Sequence, residues 1–297
     1  MRPLIAPALV KQHQPLIQFI TNTVVQQFSA NVALALGASP AMVDHDLDAA
    51  DFARVASGLV VNFGTPSQRQ YDAAAAAVPV AAAAGKPWVL DPVGMGIPYR
   101  TGQITRTAAA GPSVVRGNAS EIAALAGQGS GGRGVESTDE VDAVIDAAIV
   151  LALRTGGVVA ISGAKDVVVR VEGEEARLTS ITGGHPSMPL VIGTGCALGG
   201  AVAAYAAAAL AGGEEPGPAT LARSAAGAHA HFAAAGALAG RVDARPGSFA
   251  VAFLDALWEL SDADAARIVS LVDLAEETRP VTGEARAAAA AGGEVRA

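Results

Sequence analysis

The sequence predicts an α/β protein, a single domain with a mostly parallel central sheet and helices on both faces. Three observations predict it. Short apolar, β-branched runs such as LVVNF and VVAI alternate with Ala-rich helical segments, as they do when strands are buried on both faces. Polar residues recur where those runs stop, and open α/β sheets place ligands there. A glycine turn, Val191-Ile192-Gly193-Thr194-Gly195-Cys196, leads straight into a long Ala-rich stretch, and such a helix start presents unpaired N–H groups and partial positive charge to an anion.

Leu16 to Ile20 is the first expected strand and ends at Thr21-Asn22; Val24 to Ala35 is a helix that Gly37 stops. Ala41 to Val43 is a short second strand, Asp48 to Ala56 a helix, and Leu59 to Phe63 a strand closed by Gly64-Thr65-Pro66. Gln68 to Ala84 reads as a long helix that Pro79 should kink or shorten. Trp88 to Leu90 runs into Asp91-Pro92, a Gly- and Pro-rich loop reaches Arg100, and a helix follows from Thr101 to Ala110. Val114-Val115 is a strand whose end carries Arg116-Gly117-Asn118, with a helix from Ser120 to Ala126. Gly127 to Gly134 reads as a glycine-rich loop, Val141 to Thr155 as a helix, and Val158 to Ile161 as a strand ending at Ser162-Gly163. Val167–Val171 and Arg177–Ile181, joined across Glu172-Gly173-Glu174-Glu175, form the one expected antiparallel hairpin. Beyond the glycine turn, Leu198 to Leu210, Pro218 to Leu238 and Val251 to Leu260 read as helices. The expected domain is therefore residues 1–280, and 281–297, without apolar periodicity, is expected to be a disordered tail.

Composition narrows the function. Half of the residues are hydrophobic (51%) but only 4% are aromatic, so the core should be built from closely packed small side chains. A net charge of −8 argues against an electrostatic nucleic-acid surface. A single Cys excludes an intrachain disulfide and makes the cytoplasm the default compartment. Pro3 and Pro7 interrupt the N-terminal apolar residues, so no signal peptide is read there. The uncharged run from Ala197 to Gly213 approaches membrane-span length, but its Ala content marks a buried soluble helix. The chain has no G-x-x-x-x-G-K-[ST], no G-x-G-x-x-G after the first strand and no G-x-S-x-G, which leaves P-loop, dinucleotide and nucleophile-elbow chemistry unsupported. His229 and His231, two apart on a helix, point about 200° apart and make a poor metal pair; they are expected to be partly buried.

The strand-end residues are Asn22, Asn62 with Thr65, Asp91, Arg116 with Asn118 and Glu121, and Ser162. With the turn of Gly193, Thr194, Gly195 and Cys196 they hold what phosphoryl transfer needs: an anion cradle, carboxylates for a divalent ion, a cation for phosphate, and groups to orient the acceptor. Each also has a plainer reading. Asp91 could only start a turn, Asn118 and Glu121 fit a capping box, and Arg116 could be a surface ion pair. Cys196 could be a small hydrophobe, although the helix start favours a lowered thiol pKa. Their joint placement carries the inference.

The segments Thr21-Asn22, LALGASPAMV, VVNFGT, LDPVG, RGNASEIAALAG, GGRGVEST, GTGCALGG, PGSF and FLDALWEL occur in order between about residues 14 and 261. On them the chain resembles the hydroxyethylthiazole kinase family, with RGNASEI and GTGC the most specific. That resemblance implies a ribokinase-like fold, phosphorylation of 4-methyl-5-(2-hydroxyethyl)thiazole with ATP and Mg²⁺ in thiamine salvage, and a homotrimer with the thiazole site between subunits. It implies that Met42, Gly193 and Asn22 face the thiazole, that Arg116, Ser162 and Asn118 serve ATP, and that Asp91 and Glu121 handle Mg²⁺. Cys196 would stand where ribokinase-like relatives usually carry a catalytic Asp, with Gly193, Thr194 and Gly195 supplying amides. No nucleic acid or membrane partner is implied. The chain departs from the family pattern at Gln18-Phe19, in a shorter loop from Asp91 to Arg100, and at Arg245 before Pro246. A ribokinase-like kinase of another small alcohol, or a catalytically idle ligand-binding homologue, are the alternatives the sequence leaves.

Overall fold

Six short segments lie side by side as parallel strands in the computed structural model, which describes residues 4–128 and 138–292. They are β1 (Leu16–Ile20), β2 (Ser39–Ala41), β3 (Gly58–Asn62), β4 (Trp88–Asp91), β5 (Val114–Asn118) and β6 (Val158–Ser162). Three antiparallel strands extend the sheet, β7 (Lys165–Glu172), β8 (Glu175–Thr182) and β9 (Asp273–Pro280), giving the order β2-β1-β3-β4-β5-β6-β7-β8-β9. Every residue of β3 and of β4 is buried, which is why these strands read as unbroken apolar runs.

Two apolar layers flank the sheet. On one face α1 (Pro7–His13), α2 (Gln26–Ala35), α8 (Thr194–Ala211), α9 (Pro218–Val242), α10 (Pro246–Leu260) and α11 (Ala265–Val269) enclose a core of mostly Ala and Val. On the other, α3 (Asp46–Val55), α4 (Gln68–Ala83), α5 (Pro98–Ala108), α6 (Ala119–Ala126), α7 (Thr138–Thr155) and α12 (Gly283–Ala291) cover a second core. Small residues let backbones approach closely. A Cβ on Gly200 of α8 would lie 2.5 Å from Phe19 Cε1 of β1, so only glycine lets that helix settle onto the strand. Although α8 is long and apolar enough to cross a membrane, 78% of it is buried within the fold.

The structure corrects several expectations. The tail expected from residue 281 carries α12, which buries Ala289 and packs on α7; residues 293–297 lie outside the described ones, as does most of the loop expected at Gly127–Gly134. The hairpin is not the only antiparallel part, because β9 pairs with β8 along its whole length. The second strand is Ser39–Ala41 rather than Ala41–Val43, since Leu16, Ile17 and Gln18 pair with Ser39, Pro40 and Ala41, and Met42 therefore lies just past its end. Helices α1, α5 and α10 each have Pro at the first turn, where its missing N–H needs no intrahelical partner, so α5 and α10 start earlier than expected and Pro7 opens a helix. Pro79 does not shorten α4; both Pro79 and Ala75 are exposed, so the carbonyl that loses its partner faces water. His229 and His231 are not partly but fully buried, because α9 is enclosed nearly all round.

Candidate active site

The carboxyl ends of β1, β3, β4, β5 and β6 bring their polar residues into one hydrogen-bonded row. Asn22 Nδ2 donates to Asn62 Oδ1 at 3.0 Å, and Asn62 Nδ2 donates to Asp91 Oδ2 at 2.8 Å. Arg116 Nη1 lies 3.4 Å from the same Asp91 oxygen, and Arg116 Nη2 donates to Ser162 Oγ at 2.6 Å. Asp91 is fully buried and Arg116 nearly so. The plainer readings of Asp91 as a turn starter and of Arg116 as a surface ion pair therefore do not hold.

Asp91 Oδ1 and Arg116 Nε are buried without a hydrogen-bond partner, and such groups are costly unless something else completes them. Burial raises the Asp91 carboxyl to about 7, with Arg116 opposing and Glu121 adding to the rise.

Over this row sits the start of α8. Gly193 caps the helix with φ 99°, and a Cβ there would press on Val25 and Phe28 at 3.0–3.1 Å. The first α-helical bond of α8 runs from the Ala197 N–H to the Gly193 carbonyl, so the N–H groups of Gly195 and Cys196 precede the ladder and remain open to an anion. A Cβ on Gly195 would lie 3.6 Å from both terminal nitrogens of Arg116, and one on Gly199 4.0 Å from Asp91 Oδ2. Cradle, cation and carboxylate thus adjoin one another. The Thr194 hydroxyl is spent locally, donating to the carbonyls of Met188 and Val191.

The Cys196 thiol behaves differently from the sequence expectation of a lowered pKa. Burial and the nearby Asp91 push it up, against the pull of donors from Asn62 and Asn22 and of Arg116. Asn22 Nδ2 approaches its Sγ at 3.4 Å.

Asp91, Arg116, Ser162 and the turn from Gly193 to Cys196 line a cleft of about 680 Å³ that also holds Asn118 and Glu121. Both halves of the expected capping box are present: Asn118 Oδ1 accepts from the Glu121 N–H, and Glu121 Oε2 accepts from the Asn118 N–H, each at 2.9 Å. The cap fixes the Glu121 carboxylate at the mouth of the sheet. Met42 and Asn22 do not line this cleft; Asn22 reaches it through Asn62 and Cys196, while Met42 packs against the core beside β2.

Sequence reasoning missed several lining groups, Asp166 and His185 among them. Asp166, at the start of β7, lines the cleft, accepts from the Gly163 N–H at 2.9 Å and pairs with the buried His229 Nδ1 at 2.7 Å. Nothing local marks it, since its partner is 63 residues away.

A mostly parallel sheet with a glycine-turn helix start over a buried carboxylate and arginine fits one class: a small-molecule kinase of ribokinase-like fold. The pyridoxal kinase of Staphylococcus aureus in complex with ADP shares that fold, at TM-score 0.52 and 15% identity over 75% of this chain and 88% of that one. The hydroxyethylthiazole kinase family model matches residues 8–263, and the chain belongs to that family. It is similar to the hydroxyethylthiazole kinases of Corynebacterium glutamicum (50% identical over 90% of this chain and 96% of the relative) and Corynebacterium efficiens (49% over 92% and 97%). The hydroxyethylthiazole kinase structure from Pyrococcus horikoshii superposes with TM-score 0.73 at 32% identity, covering 94% of this chain and 99% of that one.

Proposed function

We propose that this protein transfers the γ-phosphoryl group of ATP to the primary alcohol of 4-methyl-5-(2-hydroxyethyl)thiazole, a salvage step toward thiamine. The alcohol oxygen bonds to the γ-phosphorus as the bridge to the β-phosphate breaks, ADP departs, and the alcohol proton leaves to solvent. The observation that carries the reading is the joint placement of the α8 amides, Arg116 and the unpartnered Asp91 Oδ1 in one cleft. The Gly195 and Cys196 N–H groups would hold the charge of the transferred group, and Arg116, tied to Ser162, would meet the phosphates. Asn118 supports that side through its cap.

Asp91 and Glu121 suit Mg²⁺. Among the described residues no group of three His, Cys, Asp or Glu could hold a metal, and Mg²⁺ typically takes one or two carboxylates, keeps waters and shares substrate phosphates. When bound, Mg²⁺ supplies positive charge to the phosphate oxygens. Since burial and Asp91 push the Cys196 thiol up and disfavour its thiolate, proton removal by Cys196 is a minor contribution and the amides of its turn the larger one.

The reading extends to a cytoplasmic homotrimer in which Met42 and Gly193 from different subunits enclose the thiazole. Supporting it, Met42 stands away from the cleft, and Leu190 and Ile192, beside the turn, are 64% and 70% exposed, an apolar edge for another copy to cover. The test is ADP release with the thiazole alcohol and Mg-ATP beside a control without thiazole. Release that does not depend on the thiazole rejects the reading.

A further inference from the structure

We infer that Asn62 is a positioning residue that joins the two halves of the site, setting the Asp91 carboxylate on the phosphate side and Asn22 with Cys196 on the acceptor side. The inference rests on the proposed phosphoryl transfer. Asn62 closes β3 and is 2% exposed. Its orientation is not free, because Oδ1 accepts from the backbone N–H of Gly64 at 2.9 Å, and a backbone donor fixes which end of an amide must face it. With Oδ1 committed, Nδ2 has to point at Asp91 Oδ2, where it donates at 2.8 Å.

That bond has a consequence for Asp91. Oδ2 is taken by Asn62 and faces Arg116, which leaves Oδ1 as the oxygen without a partner. Asn62 therefore selects which carboxylate oxygen is offered for phosphate-side work. On its other side, Asn62 Oδ1 also accepts from Asn22 Nδ2 at 3.0 Å, and this same Asn22 nitrogen lies 3.4 Å from Cys196 Sγ.

A second observation shows how closely this corner is built. A Cβ on Gly64 would come within 2.8 Å of Asn22 Nδ2 and 2.9 Å of its Cβ, so the turn after β3 presses Asn22 into the row. Arg116 Nη1 shares Asp91 Oδ2 with Asn62, while its Nη2 is held by Ser162, so Arg116 keeps an anchor of its own when Asn62 is lost.

The experiment uses the full chain with Asn62→Ala and, because a deleted buried amide can impair folding, Asn62→Ser as a second variant. Loss of a hydrogen bond to a charged group in the site should lower kcat about tenfold or more, while KM for ATP stays within about twofold of wild type. Independently of any substrate, Cys196 is the only cysteine, so iodoacetamide reports on it alone. In metal-free protein at pH 8.5, losing the aligned donors should slow its alkylation about threefold or more. Three results would overturn the inference: kcat near wild type, KM for ATP and melting temperature changing in step with kcat, or Cys196 alkylation that is unchanged or faster, as expected of a side chain that only fills space. If the wild type lacks thiazole-dependent turnover, the functional reading fails by itself, and the alkylation arm still decides the role of Asn62.

Discussion

At the scale of single residues, position in the sheet decides chemistry more than residue type does. Cys196 is the clearest case, since a helix start favours its thiolate but burial and Asp91 favour the thiol, and the buried environment prevails. General-base assistance is typically worth about 10² to 10⁴-fold and is smallest where the transition state is loose. Cys196→Ala should therefore retain measurable turnover, and Cys196→Asp should be a competent kinase in steady-state assays. A folded but inactive Cys196→Asp alongside an active Cys196→Ser would contradict this account. Asp91 and Glu121 make a separate prediction: Asp91→Ala and Glu121→Ala should each flatten the Mg²⁺ dependence of turnover, and titrations that match the wild-type curve would remove them from that role.

At the scale of elements, the start of α8 is the feature on which the site depends, and its geometry depends on one glycine. Gly193 combines a left-handed backbone with Val25 and Phe28 packed where a Cβ would stand. Gly193→Ala should cost roughly 1–3 kcal/mol from strain, before any packing term, and denaturant unfolding should show it as a lower midpoint with unchanged slope. An unaltered midpoint would mean that the turn relaxes freely. The parallel half of the fold is largely legible in the sequence for a related reason: its buried strands are apolar runs stopped by a polar or glycine signal, as in β3 ending at Asn62, whereas the partly exposed β2, Ser-Pro-Ala, lies earlier than the sequence pattern places it. The parts that escape reading lack that signature. β9 is a mostly exposed edge strand, DLAEETRP, recruited by backbone pairing to β8 and not by an apolar pattern, and α12 is held on α7 by alanines whose spacing says little. In the site, Asp91, Ser162 and Glu121 are legible because they end strands or belong to a helix cap, and Arg116 because it interrupts the apolar start of β5. The link from Asp166 to His229 is not, because only the packing of α9 across β7 brings the two together.

At the scale of the whole molecule, the two faces of the sheet are unequal, and the face containing α8, α9 and α10 has a titratable group at its centre. His231 is fully buried; its Nδ1 faces the Tyr205 hydroxyl at 2.8 Å and its Nε2 the Leu257 carbonyl at 3.0 Å. The carbonyl can only accept, so Nε2 carries the proton and Nδ1 accepts from Tyr205, a neutral ring that joins three helices. Burial lowers its pKa to about 4, with the Leu257 carbonyl opposing the shift, against about 6.5 in an unfolded chain. Between those values the unfolded chain binds the proton and the native protein does not. The contribution of this group to stability is thus complete above pH 6.5 and declines as pH falls toward 4. At pH 5 the loss should be roughly 2 kcal/mol relative to pH 7.5. His231→Gln keeps a donor and an acceptor but cannot titrate, so its unfolding free energy should fall less over the same interval, even if its stability at pH 7.5 is lower. Chemical denaturation of both proteins at the two pH values measures the difference, and parallel losses would show that acid sensitivity arises elsewhere in the fold.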